Sequence, residues 1–202
     1  MGLTYQSTRG GEAGVPASMA ILKGLAKDGG LFMPTEIPKL DVPMEKLGTM
    51  TYQETAYEVM KLFLTDYSPG ELKDCIAKAY DSKFDTEEIA PLAKADGAYF
   101  LELYHGSTIA FKDMALSILP HLMTTAAKKN QVDKEIVILT ATSGDTGKAA
   151  MAGFATCLAP VSLYFIQRTG SARYRNSRCA PRREPTPAWW QSTATLTMPR
   201  PV

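Results

Sequence analysis

Apolar residues in the first half of the chain recur at helical spacing. Over Thr51–Leu64 they fall close to the i, i+3, i+4, i+7 pattern of an amphipathic helix. Glu54 stands three residues after Thr51, as in a capping box. Ser68-Pro69-Gly70-Glu71 predicts the start of a second helix, because serine caps, proline suits the first helical position and glutamate occupies the third.

A shorter helix is predicted over Ala17–Ala26, ending at Asp28-Gly29-Gly30, since glycine adopts the left-handed conformation of a helix end. Three prolines then predict coil over Met33–Pro43. The first ninety residues or so are therefore predicted to be mainly helical.

The second half alternates strand-like and helix-like segments. Ala98–Tyr104 is short, aromatic-rich and followed by a glycine two residues later, which predicts a strand. Glu135–Thr140 is an apolar run typical of a strand buried on both faces of a parallel sheet. Between them Ile109–Lys129 has a helical pattern that Pro120 is expected to kink or split. With the loop ATSGDTG and the helix-like KAAMAGFA after them, these segments predict a βαβ unit with a right-handed crossover.

The predicted fold class is therefore α/β. A mainly helical domain is expected over residues 1–95, followed over residues 96–156 by the start of a domain built on a largely parallel sheet. Residues 157–202 form a separate, atypical tail.

That tail differs from the rest in composition. Up to Gln167 the chain has fifteen basic and twenty acidic side chains (net −5), whereas from Arg168 onward it has seven arginines, no lysine and one acid (net +6). Our preferred hypothesis is a shift of reading frame near Thr156, which would exchange lysine for arginine and remove acids. The alternatives are a disordered basic interaction tail and a nucleic-acid patch with Trp189 and Trp190 as stacking platforms.

The composition of the whole chain narrows the range of functions that are expected. A net charge of +1 with 45% hydrophobic residues describes a globular protein without a basic footprint for nucleic acid or an anionic membrane. No leader-like start and no run of about 20 apolar residues is present, which favours a soluble cytoplasmic protein. Three widely spaced cysteines and two histidines favour neither a disulfide framework nor a metal site.

The segment HGSTIAFKDMAL contains one candidate nucleophile, Lys112, between Phe111 and Asp113. A lysine that forms a Schiff base must be partly desolvated, and an aromatic neighbour near the start of a helix provides this. From the residues alone, a lysine on a solvated helix face is the more common case.

The segment TSGDTGKAA follows a predicted buried strand and begins a helix. Free backbone N–H groups at such a helix start attract a carboxylate or phosphate. The alternative is a plain helix cap, with Ser143 or Asp145 accepting N–H bonds. Neither a Walker loop nor a GxGxxG pattern is present, so nucleotide binding is not favoured.

Four segments together resemble the threonine synthase family, in the same order and over about residues 4–156. They are STRG at Ser7–Gly10, GLAKDGGLFMP at Gly24–Pro34, HGSTIAFKD at His105–Asp113 and ATSGDTG at Ala141–Gly147.

The resemblance implies the tryptophan-synthase-β-like fold type of pyridoxal-phosphate enzymes. It also implies that O-phosphohomoserine is converted to threonine and phosphate, with Lys112 holding the cofactor as a Schiff base and shuttling protons. The implied cofactor contacts are Lys112, Phe111 and Asp145. The implied substrate contacts are Ser107, Thr142, Ser143, Gly144 and Thr146.

The resemblance ends near Phe154, before the family's phosphate-binding glycine loop and the residue that faces the pyridine nitrogen. The chain as written is therefore expected to be truncated, catalytically inactive and poorly folded, with an open sheet edge. Two alternatives remain: an inactive pseudo-enzyme or binding protein that uses the basic tail, and a related enzyme such as a serine or threonine dehydratase. The sequence does not determine the oligomeric state.

Overall fold

The computed structural model describes residues 2–134, 136, 138–142, 144–155 and 162–166. Its helices are α1 Ala17–Lys23, α2 Met44–Leu47, α3 Tyr52–Phe63, α4 Pro69–Ala79, α5 Asp113–Leu116, α6 Leu119–Lys129 and α7 Asp145–Phe154. Its strands are β1 Tyr5–Ser7, β2 Phe32–Pro34, β3 Leu92–Ala95, β4 Ala98–Leu101, β5 Ile138–Thr142 and β6 Ser162–Ile166.

Local capping sets the starts of the two longest N-terminal helices. Thr51 accepts a hydrogen bond from the Glu54 N–H, while the Glu54 carboxylate accepts one from the Thr51 N–H, and Ser68 and Glu71 repeat the arrangement at α4. Each capping box satisfies N–H groups that would otherwise lack a partner at a helix start. The predicted helices at Thr51 and Ser68 are confirmed.

The first helix ends earlier than its pattern predicted. α1 stops at Lys23 because Gly24 adopts φ +67°, and its N–H bonds back to the Ala20 carbonyl at 3.0 Å. The following residues pair with the chain near Gly30 instead of continuing the helix. The predicted end at Asp28 was therefore wrong, because Gly24 provided an earlier left-handed stop.

The strand predicted over Ala98–Tyr104 belongs to a hairpin and not to a parallel sheet. β4 pairs antiparallel with β3 across a turn at Asp96 and Gly97, whose φ values of +49° and +77° are typical of a type I′ turn. An Asp-Gly dipeptide is a strong hairpin signal that the sequence interpretation overlooked. The predicted domain boundary at 95/96 falls in this turn.

The parallel pairing lies later in the chain than predicted. β5 pairs with β6 in parallel register, from Ile138 opposite Ser162 to Thr142 opposite Ile166, and α7 connects them. The βαβ unit is thus β5–α7–β6, and the strand predicted at Glu135–Thr140 is described over Ile138–Thr142, with Glu135 and Val137 outside the described residues. β6 lies beyond residue 156, within the range assigned to the tail, whereas residues 167–202 lie outside the described part of the chain.

The predicted helix over Ile109–Lys129 is split. α5 and α6 are separated at Ser117 and Ile118, with Pro120 in the first turn of α6, where its missing N–H costs no helical hydrogen bond. Ile109 is not helical, because it adopts φ +60° in the loop before α5. The split was expected, but the helical start at Ile109 was wrong.

The main core is formed by α4 and α6 with the loops around them. α6 packs against α1 and α4, and α3 packs against α4. The core runs across residue 95, so the division into two domains stays a prediction. Its buried members are Tyr67, Leu72, Cys75, Ile76, Ala79, Tyr80, Phe84, Ile89, Ile118, Leu122 and Ala126.

A membrane-spanning helix and a metal site can be looked for only among the described residues. Every helix among them falls short of the length and apolar character that a bilayer crossing requires. They contain no group of three His, Cys, Asp or Glu side chains arranged to hold a metal ion. Cys75 is a free, buried thiol, and Cys157 and Cys179 lie outside the described residues.

Candidate active site

The loop before α5 is held by one buried carboxylate. Asp113 is 3% exposed and accepts two hydrogen bonds from Thr108, one from its N–H at 2.8 Å and one from its hydroxyl at 2.6 Å. Gly106 lies so close to this carboxylate that an added Cβ would be 2.5 Å from the Asp113 Cβ. The hydrogen bonds between Thr108 and Asp113, which lie five residues apart, therefore close the segment from Gly106 to Asp113 into a loop.

Lys112 stands at the end of this loop, immediately before α5. Its carbonyl accepts the N–H of Leu116 at 2.9 Å, so the main chain of Lys112 already belongs to the helix start. Its side chain is half-buried, and Nζ lies 4.6 Å from the centroid of the Phe111 ring. Phe111 itself is 63% exposed, so the ring covers the amine on one side and faces solvent on the other.

A narrow cleft separates this loop from α7. α7 approaches α5 closely because Gly153 lies against the Leu116 carbonyl oxygen, which a Cβ would overlap. The cleft has a volume of about 20 Å³, enough for roughly one water molecule. Its lining includes Ser107, Asp113, Ser117, His121, Ala149 and Gly153.

The predicted site residues are only partly brought together. Ser107 is exposed but borders this cleft beside Asp113, whereas neither Phe111 nor Lys112 is part of the lining formed by the described residues. The structure thus joins the two motifs through the packing of α5 on α7, and Lys112 lies outside the cleft between them.

The ATSGDTG segment forms a very short connection. β5 ends at Thr142 and α7 begins at Asp145, with Gly144 at φ +139°, a conformation that favours glycine. Asp145 and Thr146 are half-buried in the first turn of α7. Ser143 lies outside the described residues, and Thr142 is described only as the last residue of β5.

The two explanations of this segment both stay predictions. The N-cap residue of α7 is Gly144, which has no side chain to cap the helix, and Ser143, one of the two predicted capping residues, lies outside the described residues. A helix start after a buried strand remains a favourable place for a carboxylate or phosphate.

His105 is held between two carboxylates. Nδ1 lies 2.5 Å from Asp85 Oδ1 and Nε2 lies 2.9 Å from Glu102 Oε2, while the ring stacks on Tyr104 at a centroid distance of 4.6 Å. The hydrogen bonds to Glu102 and then Asp85 raise the pKa of this imidazole. With both ring nitrogens engaged, His105 ties the hairpin to the loop after α4, and its arrangement is that of a structural group.

The opening of the chain is also structural in this fold. Ser7 donates to the Asp28 carboxylate at 2.7 Å, and the N–H groups of Gly11 and Gly30 donate to the same carboxylate at 2.7 and 2.9 Å. The bond from Ser7, then that from Gly30, lowers the pKa of Asp28. Arg9 Nη1 donates to the Asp28 carbonyl at 3.0 Å. The residues of STRG and DGG therefore form one hydrogen-bonded cluster between β1 and β2, centred on Ser7 and Asp28 and called here the Ser7–Asp28 buckle.

Comparisons with known proteins match this architecture. Residues 4–80 match the family model described as threonine synthase N terminus. Threonine synthase of Schizosaccharomyces pombe is 42% identical over 161 residues, covering 75% of this chain and 31% of that protein. The Saccharomyces cerevisiae enzyme is 35% identical over 182 residues, covering 82% of this chain and 35% of that protein.

The chain is similar to the N-terminal part of the threonine synthases.

Solved threonine synthases have the same fold over this part. The pyridoxal-phosphate-bound threonine synthase of Brucella melitensis superposes with a TM-score of 0.75 at 29% identity, and the yeast threonine synthase with 0.76 at 30%. Each comparison covers 87% of this chain and 38% or 37% of the solved one. The chain thus spans about a third of the length of the threonine synthases it matches.

The Ser7–Asp28 buckle lies inside the segment that the family model matches, whereas Lys112 and Asp145 lie after it. The N-terminal match therefore supports the resemblance without assigning the chemistry. The sequence interpretation did not recognise Thr108 and Asp113 as a pair. A threonine five residues before an aspartate is too weak a pattern to predict a hydrogen bond.

Proposed function

We propose that this chain contributes the cofactor lysine of a threonine synthase, which converts O-phosphohomoserine and water to threonine and phosphate with pyridoxal 5′-phosphate. The observation that carries the proposal is the position of Lys112 at the start of α5, half-buried against Phe111, in a loop closed by Asp113. Similarity to threonine synthases supports the reaction class.

The amine of Lys112 fits an aldehyde-bearing cofactor better than the ion-paired lysines do. Lys23, Lys61, Lys78, Lys83 and Lys129 each form an ion pair with a carboxylate. Among the described residues no carboxylate pairs with Lys112, whose Nζ rests on an aromatic ring instead. A carboxylate partner would hold the amine in place as an ammonium ion, and a Schiff base requires an amine that is free to reach a carbonyl.

The other residues of the chain have supporting roles in this proposal. Pyridoxal phosphate, when bound, supplies the electron sink for proton removal next to the substrate amine. Lys112 Nζ holds the cofactor and, once displaced by the substrate amine, carries protons to and from the substrate carbons. Phe111 and Asp145 contact the cofactor. Ser107, Thr142, Ser143, Gly144 and Thr146 bind the substrate, whose carboxylate is attracted to the N–H groups at the start of α7.

The 202 residues alone are proposed to be inactive. The cleft beside Asp113 holds about 20 Å³ among the described residues, against roughly 300 Å³ or more for an ordinary ligand pocket. The activity therefore needs further walls around the Lys112 loop. Release of phosphate from O-phosphohomoserine by the purified 202-residue polypeptide would contradict this part of the proposal.

The cofactor lysine is tested by reduction and peptide mapping. The chain is incubated with pyridoxal phosphate, reduced with borohydride and digested, and the pyridoxyl group is located by mass spectrometry. Label is expected mainly on Lys112. Lys94 is the matched control, because it too rests on a ring, 5.3 Å from the Tyr99 centroid, but lies exposed on the hairpin. Label on Lys94 equal to that on Lys112 would defeat the proposal.

Substrate choice separates the proposal from its enzyme alternative. O-Phosphohomoserine is expected to change the absorption of the bound cofactor, and serine is expected to leave it unchanged. The match of residues 4–80 to the threonine synthase N terminus supports O-phosphohomoserine over a dehydratase substrate. A response to serine alone would favour the dehydratase.

A further inference from the structure

The contact between Thr108 and Asp113 is more than a local hydrogen bond. Both residues are buried, at 2% and 3% exposure, although they lie in a short loop beside an exposed isoleucine and an exposed phenylalanine. The carboxylate accepts from the backbone and from the hydroxyl of one residue at 2.8 and 2.6 Å. A buried carboxylate with two such donors holds its partner in one orientation.

This contact holds a backbone shape that local preferences do not favour. Ile109 adopts φ +60°, a region that β-branched residues avoid, and its side chain is 68% exposed, so its own packing does not explain the conformation. Two turns accompany it, from the Ile109 N–H to the Gly106 carbonyl and from the Asp113 N–H to the Ala110 carbonyl, each at 3.0 Å.

We infer that Thr108 and Asp113 are positioning residues for Lys112. The inference rests on the proposed function, because positioning matters only if the Lys112 amine reacts. Lys112 is bonded directly to Asp113, so a carboxylate fixed by Thr108 fixes the preceding peptide as well. The Lys112 main chain then enters α5 at φ −66° and ψ −20°, and its side chain leaves the loop over Phe111. Neither positioning residue needs to touch the cofactor.

The test compares Thr108→Val, which keeps the shape but removes the hydroxyl donor, with Thr108→Ser, which keeps the donor. The first readout is tryptic cleavage after Lys112, which requires the loop to open. Loss of a hydrogen bond to a charged group is expected to speed cleavage of the valine variant about tenfold to a hundredfold, with the serine variant close to the wild type. Thr124→Val is the control, because it removes a hydroxyl bond to the Pro120 carbonyl in α6, away from the loop.

The second readout is the rate at which pyridoxal phosphate is trapped on Lys112. It is expected to fall in the valine variant and to recover in the serine variant, while the Thr124→Val rate stays at the wild-type value. Equal cleavage and equal trapping in the valine and serine variants would overturn the inference. Absence of any trapping on wild-type Lys112 would instead overturn the proposed function, and the cleavage comparison would still decide whether the loop depends on the pair.

A measurement on the unaltered chain covers the case in which the valine variant does not fold. The Thr108 amide donates to the buried carboxylate, whereas Ser107 next to it is exposed. Hydrogen exchange at Thr108 is expected to be much slower than at Ser107. Equal exchange at the two amides would overturn the inference.

Discussion

Helix α4 buries its apolar side chains, whereas the segment from Leu92 to Phe111 leaves most of its large apolar side chains exposed. α4 presents Leu72, Cys75, Ile76 and Ala79 to the core at 2% exposure or less. In the later segment Leu103 is half-buried, but seven other large apolar side chains are 50% to 68% exposed; they are Leu92, Tyr99, Phe100, Leu101, Tyr104, Ile109 and Phe111.

The two regions therefore differ in role: the helical region contributes stability, and the later segment leads to the candidate site. The helical region buries its own apolar face and caps its own helices, so its folding depends on residues close at hand. The later segment leads to Lys112 and leaves most of its large apolar side chains uncovered by the rest of the described chain, which is uncommon on a monomer surface. Substitutions are therefore expected to have opposite consequences in the two regions.

The largest expected effect comes from a matched pair of leucines. Leu72→Ala, in the core at 1% exposure, is expected to lower the free energy of unfolding by about 3 kcal/mol, because it removes buried methyl groups and leaves a cavity. Leu92→Ala, at 59% exposure, is expected to cost less than about 0.5 kcal/mol. Urea unfolding of both variants measures the difference, and equal costs would contradict the comparison.

A smaller effect is expected at the start of α4. Ser68→Ala removes the acceptor for the Glu71 N–H and is expected to cost about 1 kcal/mol of stability. Ser82→Ala, at an exposed serine that caps no helix of the described chain, serves as the control and is expected to be nearly neutral. The same urea titration detects the difference, and a neutral Ser68→Ala would mean that tertiary packing alone sets the helix start.

In the exposed segment the expected change is in association and not in stability. Phe100→Ser is expected to reduce self-association while changing the unfolding free energy by less than about 0.5 kcal/mol, because the ring is 54% exposed. Ile37→Ser, at 77% exposure outside the segment, is the control. Sedimentation over a range of concentrations measures the result. An equal reduction by Ile37→Ser would show that the segment is not special.

The smallest expected effect is on the pH dependence of stability, through the clamp that His105 forms with Asp85 and Glu102. Glu102 and Asp85 raise the pKa of His105, so its charged form is favoured in the folded state. The stabilisation is complete below the ordinary pKa of about 6.5 and is lost as pH rises through the raised value. His105→Gln is expected to flatten this loss of stability on the alkaline side of the ordinary histidine pKa.

His121 provides a control of opposite sign. Burial, and then the positive charge of Lys83, lowers its pKa. Its contribution to stability is therefore present above the ordinary histidine pKa and is lost as pH falls. His121→Gln is thus not expected to remove the loss of stability on the alkaline side. Urea midpoints across the pH range measure both variants, and an unchanged slope in His105→Gln would show that the clamp does not titrate.

The predictions from sequence were more accurate for interactions between nearby residues than for the pairing of strands. The capped helices at Thr51 and Ser68 were predicted correctly, because a cap and its partner lie three residues apart. The split at Pro120 was expected for the same local reason. The strand at Ala98 was assigned to the wrong sheet, because pairing with Leu92–Ala95 depended on the Asp96-Gly97 turn. The β6 partner of β5 lies beyond the range predicted to fold at all.

The candidate site divides in the same way. The segment around Lys112 was singled out by its resemblance to threonine synthases, and curated threonine synthases match 75% and 82% of the chain. The roles of Lys112, Asp145 and the substrate-binding residues remain proposals. The contact of Thr108 with Asp113, and the close approach of α7 to α5 at Gly153, could not be read from spacing.

The sequence by itself determined the helix caps at Thr51 and Ser68 and the resemblance to threonine synthases, because each depends on neighbouring residues or on a distinctive segment. Only the tertiary structure decided which strands pair, that α6 joins the N-terminal helices in one core, and that a buried carboxylate closes the loop before Lys112. Those outcomes depend on burial and on contacts between residues distant in sequence or on the exact shape of a turn, and a linear pattern of residue types does not specify either.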